Sequence, residues 1–284
     1  MLGAFYLILL VILPLLKAKF ILFISVTVLV LASCDGYNKL LKSTDYDLKL
    51  SKAMEYYDKG YYIRSSQLFE ELIPVVKGTE KAESVYYHFA WSEYKMGDYL
   101  LSQYYFKNFT RQYPGSEHVE ECNYMSAYCY FLNSPNYKLD QTYTKNAIKE
   151  FQSFLDQYPQ SPKLDTCNLI IDKLRAKLEQ KDYEIIKQYY KLSDWKATIT
   201  ATKNYIKEYP SSTYNEEMYY LMIDSYYTLA LNSVYNKKAE RLDAAIENYV
   251  KFVDLYPKSS YISRAENIYN SCKRLKENLT KDGF

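Results

Sequence analysis

Two patterns of apolar and polar positions divide the chain. Up to Ser33, apolar residues follow one another almost unbroken: one stretch runs from Ala4 to Leu16, interrupted by Pro14, and another from Phe20 to Ser33, with Lys17 and Lys19 between them. Beyond that, apolar and aromatic residues return every three or four positions, the period of helices that bury one face. In VYYHFAWSEYKMGDY, Tyr87, Ala90, Trp91 and Tyr94 stand at i, i+3, i+4 and i+7, and Gly97-Asp98 supplies a turn. Asp194-Trp195 recurs where Asp98-Tyr99 sits in that unit.

The helical pattern repeats. FKNFTRQYPGS, FQSFLDQYPQS, TKNYIKEYPSS and YVKFVDLYPKS share one register, with Tyr113, Tyr158, Tyr209 and Tyr256 spaced by 45, 51 and 47 residues. Four residues before each tyrosine stands an aromatic (Phe109, Phe154, Tyr205, Phe252), and seven before stand Phe106, Phe151, Thr202 and Tyr249. Eleven before, the residue is always small: Ser102, Ala147, Thr198 and Ala245. These positions share one helix face, where the small residue admits a neighbouring helix and the rings fill the space beside it. The proline after each tyrosine ends the helix, lacking an N–H and constraining the residue before it. The serine that follows is expected to cap the next helix, most plainly at Ser161-Pro162. RSSQLFEELIP, with Phe69 and Pro74, reads as an earlier, degenerate copy.

These helix–turn–helix units resemble the tetratricopeptide repeat, stretched by longer turns. They imply an all-α fold, an α-solenoid of about five tetratricopeptide-like helix pairs, because no pair can bury its own apolar face. The expected organisation is a lipoprotein-type signal peptide over 1–33, a lipidated tether over 34–43, repeats 1–3 over 44–160, and a long helix with repeats 4–5 and a tail over 161–284. Long turns are expected at LNSPNYKLDQTYT in the third unit and LNSVYNKKAERLD in the fifth.

At about 1.5 Å per residue, Phe20 to Ser33 makes a helix of roughly 21 Å, too short for the roughly 30 Å hydrocarbon core. A basic flank, an apolar stretch and small residues before Cys34 are instead the grammar of a cleaved signal. Leu31-Ala32-Ser33-Cys34 resembles the lipobox of bacterial lipoproteins. That resemblance implies diacylglycerol on the Cys34 thiol, cleavage before it and acylation of the new amino terminus. The stretch from Ala4 to Leu16 has no place in such a signal, so translation is expected to start downstream of Met1. Asp35 favours the inner membrane under enterobacterial sorting, and lineages differ in that rule.

Lys17 and Lys19 are the only charged residues before Cys34, so 34 basic face 34 acidic side chains in the rest of the chain. A neutral, mixed surface offers no electrostatic footprint for nucleic acid, and attachment to a membrane would fall to acyl chains. Cys122 and Cys129, seven apart on one helix, are too distant to bridge; a pair involving Cys167 or Cys272 stays open, with buried apolar thiols the more common outcome. Glycine is scarce, at 7 residues, and the 35 tyrosines must pack many helix faces with rings that carry a polar tip. His88 and His118 have no second ligand at metal spacing. No nucleophile elbow, phosphate loop or dinucleotide fingerprint occurs. Carboxylates such as Glu117, Glu120 and Glu121 are expected at solvent-facing positions near a helix start. No enzyme, metal or cofactor is expected, and function falls to binding. Tyr86, Tyr87, Trp91 and Tyr94, with Tyr104 and Tyr105, exceed what one core stripe needs, and the first four are the candidate lining of a peptide-binding groove.

A lipobox followed by five such units resembles the BamD family of lipoproteins of the outer-membrane β-barrel assembly machinery. The stretch KDYEIIKQYYKLSDWKATITATKNYIKEYPSS is similar to that family's fourth repeat and its approach. The resemblance covers nearly all of the chain after Cys34 and is strongest from Phe151 to Ser260. It implies a lipid-anchored scaffold on the periplasmic face of the outer membrane. Its C-terminal repeats would hold the POTRA domains of BamA, and its N-terminal repeats would receive the C-terminal signal of unfolded outer-membrane proteins, which ends in an aromatic residue. The nearest alternatives are the Tol-Pal coordinator, normally with a coiled coil before its repeats and no lipid anchor, and the longer nutrient-binding lipoproteins of the starch-utilisation type.

Overall fold

The structure, a computed structural model, describes residues 36–281; Cys34 and the residues read as signal peptide lie outside this range. The elements in it are all helical, as the apolar period requires. A short α1 over 36–41 precedes ten helices that follow the five sequence pairs in order: α2 (Tyr46–Asp58) and α3 (Tyr62–Val76), α4 (Lys81–Met96) and α5 (Tyr99–Gln112), α6 (Val119–Leu132) and α7 (Thr142–Gln157), α8 (Leu164–Lys191) and α9 (Trp195–Glu208), and α10 (Asn215–Leu231) and α11 (Tyr235–Leu255). A final helix, α12, spans Ile262–Lys281. The chain forms two compact units that divide between Asn133 and Ser134, in the turn of the third pair. Within each unit a helix packs on the one before and the one after, and first helices also meet, α2 with α4 and α10 with α12. This is the tetratricopeptide-like stacking expected from the repeats.

The Tyr-Pro endings are one local structure made four times. Tyr113, Tyr158, Tyr209 and Tyr256 cap α5, α7, α9 and α11 at φ between −122° and −130°, each donating its N–H to the carbonyl of the aromatic four residues back. Those aromatics are buried, as are the small residues Ser102, Ala147, Thr198 and Ala245. Ser102 uses its hydroxyl on the facing helix, donating to the Ala90 carbonyl at 2.9 Å.

At the opposite end of the pairs, short turns reverse the chain through a left-handed residue. Gly60 (φ 76°), Gly97 (φ 87°) and Ser193 (φ 59°) occupy it. Each N–H bonds three residues back, and the next bonds five back, to Tyr56, Glu93 and Tyr189. This closes the last carbonyls of the helix. Asp98 and Asp194 then cap α5 and α9 through Oδ1 to the N–H of Leu101 and Ala197.

Four local expectations are corrected. Pro74 lies inside α3, which runs on to Val76, because a proline in the last turn removes a single hydrogen bond and leaves the remaining turn intact. The serines after Tyr-Pro stand two residues ahead of the helix caps: Ser161 Oγ accepts from the Lys163 N–H at 3.2 Å, closing a small turn, and α8 starts at Leu164. In the fifth pair the supposed turn is mostly helix, since α11 begins at Tyr235 and Lys-Lys-Ala-Glu-Arg are good helix formers. Glu121, expected to face solvent, is partly buried and hydrogen-bonded, as described below. The third pair's turn is a true loop. Buried Gln141 donates to the carbonyls of Asn136 and Leu139, and Lys177 and Lys181 on α8 reach the carbonyls of Pro135 (3.0 Å) and Leu139 (2.7 Å). Cys122, Cys129, Cys167 and Cys272 are free and buried.

Candidate functional site

The candidate groove residues lie on α4, where three of the four form a stripe. Tyr87, Trp91 and Tyr94, at i, i+4 and i+7, are half-buried and pack with the cluster of Phe106, Phe109, Cys122, Met125 and Cys129. Tyr86 also packs on this cluster, but beside Tyr105 and Tyr113, its ring 6.1 Å and 5.9 Å from theirs, rather than in the stripe. Tyr104 is exposed and Tyr105 packs on Phe89 at 4.5 Å. The structure therefore brings Tyr87, Trp91 and Tyr94 together and leaves the other rings on α5's side.

The stripe is tied to α6. Tyr87 stacks on His118 with centroids 4.2 Å apart and planes at 24°, and its hydroxyl donates to Glu121 Oε2 at 2.7 Å. Burial, and after it the Glu121 carboxylate, pushes the Tyr87 phenol well above its usual range, so it remains a donor. Trp91 meets Tyr94 and Phe106 edge-on at 5.4 Å each, and the exposed Lys95 places its Nζ 5.6 Å from the indole. Both histidines of the chain touch Tyr87, with His88 edge-on at 5.3 Å.

The second unit builds the same stripe with different chemistry, which the sequence reading missed. On α8, Tyr183, Lys187 and Tyr190 repeat the spacing of Tyr87, Trp91 and Tyr94. Tyr183 stacks on Tyr214 at 4.2 Å and 25°, and donates to Glu217 Oε2 at 2.7 Å, matching the Tyr87 arrangement on the same sequence separations. Lys187, standing where Trp91 stands, donates to Glu217 Oε1 at 2.7 Å, and Tyr190 donates to Asp224. A third rung lies between Tyr220 and Tyr261, stacked at 4.9 Å, with the Arg264 guanidinium 5.4 Å and 5.1 Å from their rings. The sequence carries no specific signal for this arrangement: tyrosine with a carboxylate 34 residues later occurs at 87/121, 183/217 and 190/224, and also at 37/71, 46/80, 86/120, 209/243 and 220/254. Both stripes are lined by tyrosines; the second differs in placing the Lys187–Glu217 ion pair where the first has Trp91, with Trp195 5.4 Å from Tyr190.

Among the described residues, no group of three or more His, Cys, Asp or Glu is placed to hold a metal ion, and no helix is long and apolar enough to cross a membrane.

A family model described as YfiO, outer membrane lipoprotein, matches residues 46–242 and 178–282. The outer membrane protein assembly factor BamD of Pasteurella multocida (strain Pm70) is 21% identical over 238 residues, which cover 80% of this chain and 91% of that protein. BamD of Haemophilus influenzae is 23% identical over 245 residues, covering 80% and 90%. A solved structure of the TPR2AB domain of yeast Sti1 overlaps 80% of this chain and 98% of its own at 12% identity, with a TM-score of 0.36, too low to carry an argument.

Proposed function

The chain belongs to the YfiO family of outer membrane lipoproteins, to which the BamD assembly factors are its similar relatives, and from that premise we propose that it is a non-enzymatic scaffold of β-barrel assembly. In this reading it is anchored through lipid on Cys34 at the periplasmic face of the outer membrane, after removal of residues 1–33. The ionic stripe of the second unit is the docking side for the POTRA domains of a BamA-type barrel protein. The aromatic stripe of the first unit receives the C-terminal segment of unfolded outer-membrane proteins.

The observation that carries the division of labour is the exchange of Trp91 for Lys187 at equivalent positions of two stripes that share a stacked tyrosine bonded to a glutamate. A strand ending in an aromatic residue and a free carboxylate suits Tyr87, Trp91 and Tyr94 for its ring and the exposed Lys95 for its charge. Folded POTRA domains, presenting polar surface, suit fixed ion pairs that set orientation.

Trp91 and Trp195 are the two tryptophans, so Trp195→Phe leaves Trp91 as the sole indole reporter. A synthetic C-terminal segment with a terminal aromatic should change Trp91 emission saturably, and Tyr94→Ala should weaken binding by about tenfold, or about 1.4 kcal/mol. Emission that ignores the segment, or equal binding of a segment lacking the terminal aromatic, would contradict the assignment.

A further inference from the structure

The described chain begins beside a cluster of aromatic residues on the first pair. Tyr37, in α1, shares its one hydroxyl proton between the Arg64 carbonyl at 3.0 Å and Gln67 Oε1 at 2.8 Å, and its ring meets Tyr56 edge-on at 5.7 Å. The Arg64 guanidinium lies 5.2 Å, 5.6 Å and 6.0 Å from the rings of Tyr37, Tyr56 and Tyr61. Residue 36 therefore sits at the end of the first unit where α2 turns into α3. Two further residues reach Cys34, and at about 3.6 Å per extended residue they span no more than about 7 Å.

That same end carries an apolar surface that nothing in the first unit covers. Tyr61 is 55% exposed, Ile63 67%, Met96 38% and Leu100 57%. Tyr61, Ile63, Arg64 and Met96 line one shallow depression. Isolated exposed apolar residues are ordinary, but a contiguous group of this kind marks an interaction surface. Its make-up, tyrosines around a guanidinium with aliphatic residues beside them, suits the headgroup layer of a bilayer, where amphipathic rings and snorkelling cations are at home.

Resting on the reading that Cys34 is lipidated, we infer that this end of the first unit lies in the headgroup layer of the phospholipid membrane that holds the acyl chains, with Tyr61, Ile63 and Met96 in contact with lipid. The tether is too short to hold the patch away from the bilayer that anchors it. Membrane contact also fixes the orientation of the first unit, because α3 runs from this end for about 20 Å at 1.5 Å per residue, carrying the 77–80 turn outward.

The test uses the full-length lipoprotein in vesicles of phosphatidylethanolamine and phosphatidylglycerol containing nitroxide-labelled lipid. Ile63→Cys and, separately, Lys77→Cys carry an environment-sensitive fluorophore. The other thiols do not compete, since Cys122, Cys129, Cys167 and Cys272 are buried and their pKa values raised by burial. Lipid nitroxide should quench the reporter at 63 severalfold more than the one at 77. Equal quenching at both positions, or quenching at neither, overturns the inference. The mass of the amino-terminal peptide and vesicle flotation are read on the same sample. An acylated, floating protein with an unquenched reporter at 63 removes the surface contact alone; a chain with no acyl mass that fails to float removes the anchor, and this inference with it.

Discussion

Tyr87 shows how a single side chain is placed by physics that its own sequence position does not announce. Its ring stacks on His118, its hydroxyl holds Glu121, and its neighbour His88 packs against Tyr57 at 4.9 Å and Phe69 at 6.0 Å. Tyr87→Phe removes one partly solvated hydrogen bond and should cost about 0.5–1.5 kcal/mol in urea unfolding, with Tyr183→Phe in the same range because Glu217 keeps Lys187. His88 gives a pH dependence. Burial lowers its pKa below 6.5, opposed by a hydrogen bond to Ser84 and by the charge of Asp58, so between the lowered value and 6.5 the unfolded chain binds more protons than the folded one. The stability linked to His88 is therefore complete above pH 6.5 and is lost as pH falls through that window. Glu93, hydrogen-bonded by Ser66 and raised above 4.5 by burial, works the other way, adding stability as pH falls through its raised value. His88→Gln should flatten the decline of the urea midpoint just below pH 6.5; an unchanged slope would contradict the assignment.

At the scale of helices and turns, the fold rests on repeated positions. Phe109, Phe154 and Phe252 are the buried rings four residues before the capping tyrosines, and truncating any of them to alanine should cost about 3–5 kcal/mol, while Leu169→Ala, 71% exposed on α8, should stay within about 0.5 kcal/mol. Ser193 takes the left-handed turn that Gly60 and Gly97 take without a β-carbon, so Ser193→Gly should stabilise the chain by up to about 1 kcal/mol in the same assay. Much of this level was legible in the sequence. The Tyr-Pro register gave the ends of α5, α7, α9 and α11, and the small residues eleven before gave the close contacts. What was not legible depended on neighbours or on competing propensities. The prediction for residues 231–243 followed the insertion and overlooked its helix formers. Pro74 was read by analogy with prolines that follow a tyrosine cap. The partners of Tyr87 and Tyr183 lie on another helix, Glu121 and Glu217, and nothing local to either tyrosine marks them.

For the whole molecule, membership of an outer membrane lipoprotein family agrees with the resemblance read from the lipobox and the five repeats, and the all-helical units agree with the expected fold. The candidate groove was legible as a cluster but not in its geometry: Tyr87, Trp91 and Tyr94 share a stripe, and Tyr86 does not. The contrast between Trp91 and the Lys187–Glu217 ion pair emerged only once Trp91 and Lys187 stood at matching rungs. The most direct test of the scaffold assignment is recovery of the C-terminally tagged protein from gently solubilised outer membranes, with its stoichiometric partner identified by mass spectrometry. The account predicts a POTRA-bearing barrel protein near equal abundance. Recovery of Tol-Pal proteins, or of a large transporter barrel alone, would contradict it.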